Sequence, residues 1–296
     1  MARLKIGVYD PDPATGPRTL GVLEARSRAR VELHGPTTAL RPGRGRRADD
    51  AMGWLESLAD GEVDLALCPI EAVRDLLDDR VAIIGIPERG DPRDVLLGSA
   101  SEPCALANLP VGACVAAYSG RTTGLLKAYR SDLEIVAGSD LSTDLAAVDR
   151  GDLKGLVTSY NRIAGTSEVR RIGEAFPLTA WIPAPGQGAL AILTRRGEAS
   201  AAEVAEHLVH PDSMRAVQAE LATAQRLVVG SRASLGVAAK TFPGGMRLWG
   251  MVVGEDGRQV VRGEVSANGG PPEGPATELA ALLSGRGAAS VGRVSR

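Results

Sequence analysis

Three short stretches carry side chains whose type and spacing could do chemistry. In LVVGSRASLGVAA, Leu227 to Ala239, Gly230-Ser231-Arg232 sets a small hydroxyl at a glycine turn that reads as lying between two apolar strands. A serine at such a bend becomes a nucleophile only beside a base that takes its proton, and no histidine stands near it in sequence. In YSGRTTG, Ser119-Gly120-Arg121 falls at a strand-to-helix turn, where backbone N–H groups and the helix dipole favour an anion. Arg121 reads equally well there as a surface helix residue. In PAPGQG, Gly186 and Gly188 flank Gln187 and suit backbone angles and close approaches that a side chain forbids. His207 and His210 stand three apart in AEHLVHPD without a third ligand nearby, so no metal site is expected. Cys68, Cys104 and Cys114 lack any metal or redox spacing and lie in or beside apolar runs, which reads as buried reduced thiols.

The elements that must position these residues alternate between short apolar runs and helical patterns. LKIGVY and RVELHG read as strands, with the helical GPRTLGVLEARSRA between them. The basic connector ALRPGRGRRADD, residues 39–50, reads as mobile and as a possible lid. AMGWLESLADGE then carries Met52, Leu55, Leu58 and Ala59 on one helical face and closes near Gly61. VDLALCPI is an unbroken apolar strand of the kind buried on both faces. A second unit is expected after ERGDPRDVLLG (88–98), with strands ACVAAY, LEIVAG and GLVTSY and helices GRTTGLLKAYR and STDLAAVDRGD. The stretch from Ser200 to Val228 reads as helical, broken around Pro211. The tail reads as a hairpin turning at EDGR followed by the helix ATELAALLSG, a small α+β domain. Strand–helix–strand alternation implies α/β domains with mostly parallel sheets. No internal repeat is evident in the residues.

Composition narrows the field of functions. The chain has 296 residues, 44% hydrophobic and 24% charged, with a formal net charge of -2, so it gives no electrostatic reason for nucleic-acid or membrane binding. Two Phe, four Tyr and three Trp leave no aromatic platform for stacking bases. No apolar run is long enough to span a bilayer, and MARLKIGVYD enters a strand pattern without a signal-peptide core. A cytoplasmic location is the resulting expectation; a monomer is also expected, although nothing in the residues fixes the oligomeric state.

Several strings in the same order resemble the porphobilinogen deaminase (hydroxymethylbilane synthase) family. They are ERGDPRD (88–94), LPVGACVAAYSGRTTGLL, AVDRGDLKGLV, PAPGQGALAI (183–192) and DGRQVVRGE (256–264). The resemblance implies three domains. Two are α/β and similar to type II periplasmic binding proteins, spanning 1–90 with 187–209 and 91–186. The third is a small α+β domain at 210–296 that carries the Ser231 turn. It further implies a small-molecule substrate or ligand in a cleft between domains 1 and 2. The family condenses porphobilinogen head to tail with release of ammonia, on a dipyrromethane primer held by a cysteine thioether. An aspartate handles the reacting amine, and arginines hold the acetate and propionate side chains.

At the positions matching those groups this chain departs from the pattern. The family turn Gly-Gly-Cys is Val229-Gly230-Ser231, so no dipyrromethane cofactor is expected, and none of the cysteines falls in domain 3. The run CPIEAVR (68–74) puts Ala72 at the aspartate and Glu71 one position away. At a strand end such a shift of one residue turns the side chain to the other face. Of the paired arginines Arg121 survives beside Thr122, while Gly138 and Asp144 stand where further arginines would be. VYDPDPA replaces the first arginine by Tyr9 and sets Asp10 and Asp12 on the same loop. The candidate catalytic residues are therefore Glu71, Ser231 and Asp10, and the candidate binding residues Tyr9, Asp12, Ser119, Arg121 and Gln187. Three readings stay open: a family member that acts on a different small substrate in a specialised biosynthetic pathway, a non-catalytic ligand-binding or sensor protein, and a genuine synthase with a primer on Ser231.

Overall fold

A computed structural model describes residues 3–8, 30–34, 48–73, 76, 78–198, 203 and 205–292. The chain divides into two units, residues 1–91 with 187–214 and residues 92–186 with 215–296.

In the first unit, β1 (Arg3–Val8) runs parallel to β2 (Arg30–His34) and to β3 (Leu65–Pro69). The strand β10 (Leu190–Arg195) returns antiparallel between β3 and β4 (Val81–Gly85). The order is β2-β1-β3-β10-β4. Leu65 to Cys68 are all buried, as a strand covered on both faces requires. The helix α1 (Ala48–Ala59) buries Leu55 and Leu58. Met52 stands 39% exposed, so the expected four-residue stripe is narrower than its spacing implied. Gly61, at φ 81°, lets the chain leave the helix in the left-handed region. Directly after β3, residues Ile70–Val73 form the single turn α2. CPIEAVR is thus helical at its centre rather than a strand end, and a shift of one residue there rotates a side chain by about 100° instead of flipping it across a sheet.

The second unit repeats the pattern of strand directions with unrelated residues, but its antiparallel strand comes first in the chain rather than last. Its sheet is built from β5 (Asp94–Leu97), β6 (Cys114–Ala117), β7 (Glu134–Ala137), β8 (Gly155–Ser159) and β9 (Ile172–Ala175), in the order β7-β6-β8-β5-β9. The strands β6, β7 and β8 are parallel, and β5 runs antiparallel to β8 and β9. The two sheets therefore share an arrangement of strand directions that leaves no visible repeat in the sequence, because only burial and strand length have to match. ERGDPRDVLLG is not a linker ahead of this unit: its last part is β5, buried at all four positions and placed inside the sheet. The helices α3 (Gly120–Tyr129) and α4 (Leu141–Arg150) follow β6 and β7, and α4 closes on Gly151 at φ 84°.

The remainder of the second unit holds most of α5 (Pro211–Arg226), a three-stranded antiparallel meander and α6 (Glu273–Gly285). The meander is β11 (Ala233–Phe242), β12 (Gly245–Gly254) and β13 (Val260–Asn268). Pro211 opens α5, where its missing N–H costs nothing, which is the expected break. The EDGR turn joins β12 to β13, with Gly257 at φ 72°. One apolar cluster runs from Val115, Leu125 and Leu126 through Phe176 and Trp181 to Ala238, Trp249, Met251 and Val253, so the meander and the sheet share a core. Glycines allow the approach: a Cβ on Gly124 of α3 would overlap the carbonyl oxygen of Gly254.

Candidate functional site

In open α/β sheets the loops at the carboxyl ends of parallel strands present the functional side chains. In the second unit these loops hold Tyr118 and Ser119 after β6, Gly138 to Asp140 after β7, and Tyr160 to Arg162 after β8. Ser119 is the N-cap of α3. Its hydroxyl accepts from the Thr122 N–H at 3.2 Å, and Thr122 Oγ1 accepts from the Ser119 N–H at 3.2 Å. Both hydroxyls thus satisfy the first turn of the helix. Ser234 Oγ and Glu255 Oε1 lie 3.2 and 3.3 Å from where a Cβ on Gly120 would stand.

Arg121 faces inward and is only 6% exposed. Its Nη1 lies 2.8 Å from Asp94 Oδ2 and donates to the Ile182 carbonyl at 3.0 Å. The same Asp94 oxygen accepts the indole N–H of Trp181 at 2.9 Å, and Trp181 stacks on Phe176. The surviving arginine is a member of a buried network, not of the helix surface.

Tyr118 and Asp144 form a second network. The Tyr118 hydroxyl donates to Asp144 Oδ2 at 2.6 Å, and the other Asp144 donors are Ser139 N–H at 2.9 Å and Ser139 Oγ at 2.8 Å. The Arg162 guanidinium carbon lies 4.6 Å above the centre of the Tyr118 ring. Burial, followed by the hydrogen bond to Asp144, pushes the Tyr118 phenol well above its ordinary range. Asp140, the N-cap of α4, is lowered to about 2 by the Ser142 hydroxyl and the Thr143 N–H.

In the first unit, Glu71 is exposed on α2 and its Oε1 accepts the Gly188 N–H at 3.3 Å. Gln187 is buried, and its carbonyl accepts Arg89 Nε at 2.9 Å and Nη2 at 2.7 Å. Gly186 and Gly188 take φ of 77° and 81°, as their positions around Gln187 led one to expect. Arg89 N–H also donates to Ser213 Oγ at 2.9 Å, and that hydroxyl lies 2.9 Å from His210 Nδ1. His210 is thus a helix cap at the start of α5, since its Nδ1 accepts the Ser213 N–H.

Ser231 is exposed, in a turn closed by the Ala233 N–H to the Gly230 carbonyl. The element before that turn is the helix α5 rather than a strand, and Val228 is 72% exposed, so only the residues after the turn are strand. Gly230 packs so closely on the Val291 carbonyl that a Cβ would overlap it. Tyr9, Asp10 and Asp12 lie outside the described residues, as do residues 39–47 of the expected lid; residues 48–50 of that stretch begin α1. Cys68 is buried, and Cys104 and Cys114 are partly so, with both of the latter thiols raised chiefly by burial. Among the described residues no cluster of His, Cys, Asp and Glu could hold a metal ion, and no helix is long and apolar enough to cross a membrane.

Sequence reasoning missed Asp94, Trp181, Arg89 and Glu220. Glu220 is fully buried on α5, and its two oxygens accept the N–H groups of Gly186 and Ala239, each at 2.7 Å. A charged residue on the apolar stripe of VQAELATAQ was its available signal.

Two α/β sheets with the same pattern of strand directions, each with one antiparallel strand between the third and the outermost strand, together with a meander packed by α6, define a protein of type II periplasmic-binding-protein topology. Residues 55–203 match the family described as "Porphobilinogen deaminase, dipyromethane cofactor binding domain". The chain is 33% identical to the porphobilinogen deaminase of Moorella thermoacetica, over 79% of this chain and 75% of that protein. It is 34% identical to that of Thermus thermophilus, over 72% and 71% of the two chains. It is 33% identical to that of Mycobacterium marinum, over 88% and 81%. The chain belongs to the porphobilinogen deaminase family.

Proposed function

We propose that this family member handles a small molecule less anionic than a polycarboxylate pyrrole, in a specialised biosynthetic pathway of the cytoplasm, without dipyrromethane chemistry. The observation that carries the reading is the Tyr118–Asp144 pair: where the family resemblance calls for guanidinium groups, a carboxylate stands, already holding three donors. Exchanging positive for negative charge at a binding surface disfavours an anionic ligand.

The residues present do not fit a thioether-linked dipyrromethane. The exposed turn offers the Ser231 hydroxyl where a thiol would be needed. Cys68 lies in the first unit, and the Cys104 thiol donates to the Lys154 carbonyl beside β8. Ala72, in place of the aspartate, has no group to handle a protonated amine, and the carboxylate of neighbouring Glu71 accepts the Gly188 N–H.

A second reading, a ligand-binding protein without catalysis, is favoured by Arg121: the surviving arginine is paired inside the core with Asp94. Intact mass of the purified chain, followed by incubation with porphobilinogen, tests the common ground of both. An unmodified mass and no ammonia release are expected. A dipyrromethane-sized increment that disappears in Ser231→Ala, with ammonia release, would establish instead a synthase primed on Ser231.

A further inference from the structure

We propose that Tyr118, Gly138 and Asp144 form one specificity-determining set that turns carboxylate groups away from the carboxyl end of the second unit's sheet. The inference rests on the reading of a less anionic ligand and names the residues that enforce it.

The three positions are coupled by geometry. A Cβ on Gly138 would fall within 2.9 Å of three carbons of the Tyr118 ring, so no side chain fits at 138 while that ring is in place. The ring is held there by its hydroxyl bond to Asp144 Oδ2 and by the Arg162 guanidinium on its face. Asp144 is only 7% exposed, and it takes the hydroxyl of Tyr118 together with the N–H and hydroxyl of Ser139. The donors of Tyr118 and Ser139 at this edge thus end on a carboxylate of the chain itself.

An incoming carboxylate would meet one further obstacle. Asp140 is exposed beside this pair and remains ionised down to acid pH. The Arg162 guanidinium lies against the π-face of the ring. Rejection by like charge and by engaged donors is a common way to build specificity. What this edge can receive is an uncharged hydrogen-bonding group, a hydroxyl or an amide. Because the ring excludes a side chain at 138, replacing Gly138 alone would only displace Tyr118.

The test is a calorimetric titration of the full chain with glutarate, a dicarboxylate probe. Native protein is compared with the double variant Tyr118→Ser/Asp144→Arg and with Asp144→Asn, which keeps the residue's size. The double variant is expected to bind glutarate about tenfold or more tightly than native protein, and Asp144→Asn about threefold more tightly. Equal affinity in native protein and Asp144→Asn overturns the proposal, even if the double variant fails to fold. The outcome separates from that of the porphobilinogen assay. Equal glutarate affinities without ammonia release sink the set and leave the proposed function standing. Ammonia release with the expected gain in affinity does the reverse.

Discussion

Arg121 shows how one residue can keep its identity and change its work. Its guanidinium is buried against Asp94, which also holds the indole of Trp181. Removing it strands a buried carboxylate, and breaking a buried pair from one side costs about 3–5 kcal/mol. Arg121→Ala should therefore lower unfolding stability by about that amount in urea titration; a change within about 0.5 kcal/mol would show a surface residue instead. Asp140 makes the opposite kind of contribution. Its folded pKa, about 2, lies below its ordinary value of 3.8 because the Ser142 hydroxyl and the Thr143 N–H favour the carboxylate. A depressed acid stabilises the fold above its unfolded pKa and loses that effect as pH falls through the folded one. Stability should thus decline from about pH 4 toward pH 2, and Asp140→Asn should flatten that part of the acid limb in a pH series of denaturation midpoints. For Tyr118 the sign is reversed: a phenol raised in the fold stabilises below its ordinary range and loses that contribution as alkali ionises it.

At the scale of elements, α3 is the piece on which the second unit turns. Its first turn is closed by the reciprocal Ser119 and Thr122 bonds, its inner face places Arg121, Leu125 and Leu126, and its glycines admit the meander. Helix propensity alone would make Gly124→Ala stabilising by about 1 kcal/mol. The added methyl would meet the Gly254 carbonyl and the Val253 side chain, so overpacking reverses the sign. Gly124→Ala should destabilise by about 1–3 kcal/mol in thermal or urea unfolding, and a gain in stability would mean that the meander is not docked this closely.

For the whole molecule, the common apolar cluster makes residues 92–186 and 215–296 one cooperative block. Trp181, Trp249 and Met251 lie in the same core as Leu125 and Val157. Amides of β6 and of β12 should therefore exchange with deuterium through the same opening, with matching free energies. Met251→Ala should lower protection in both strands together, at a cost of about 2–5 kcal/mol. Protection lost in β12 alone would show two independently opening parts.

The sequence by itself determined the alternation of strands and helices, the break at Pro211, the left-handed glycines around Gln187, the EDGR turn and the absence of a thiol at the Ser231 turn. Each depends on local rules: side-chain periodicity, the fixed φ of proline, the freedom of glycine and the identity of one atom. What only the tertiary structure decided is where polar groups go once buried. Asp94 meets Arg121 across 27 positions, and Glu220 binds Gly186 and Ala239 across 34 and 19. The Tyr118 ring closes off Gly138 twenty residues away. Such pairings depend on strand order and register, which place residues distant in sequence within an ångström or two of contact, and no local pattern encodes that. The same reason hid β5 inside ERGDPRDVLLG, because a return strand is defined by the neighbours it pairs with rather than by its own residues.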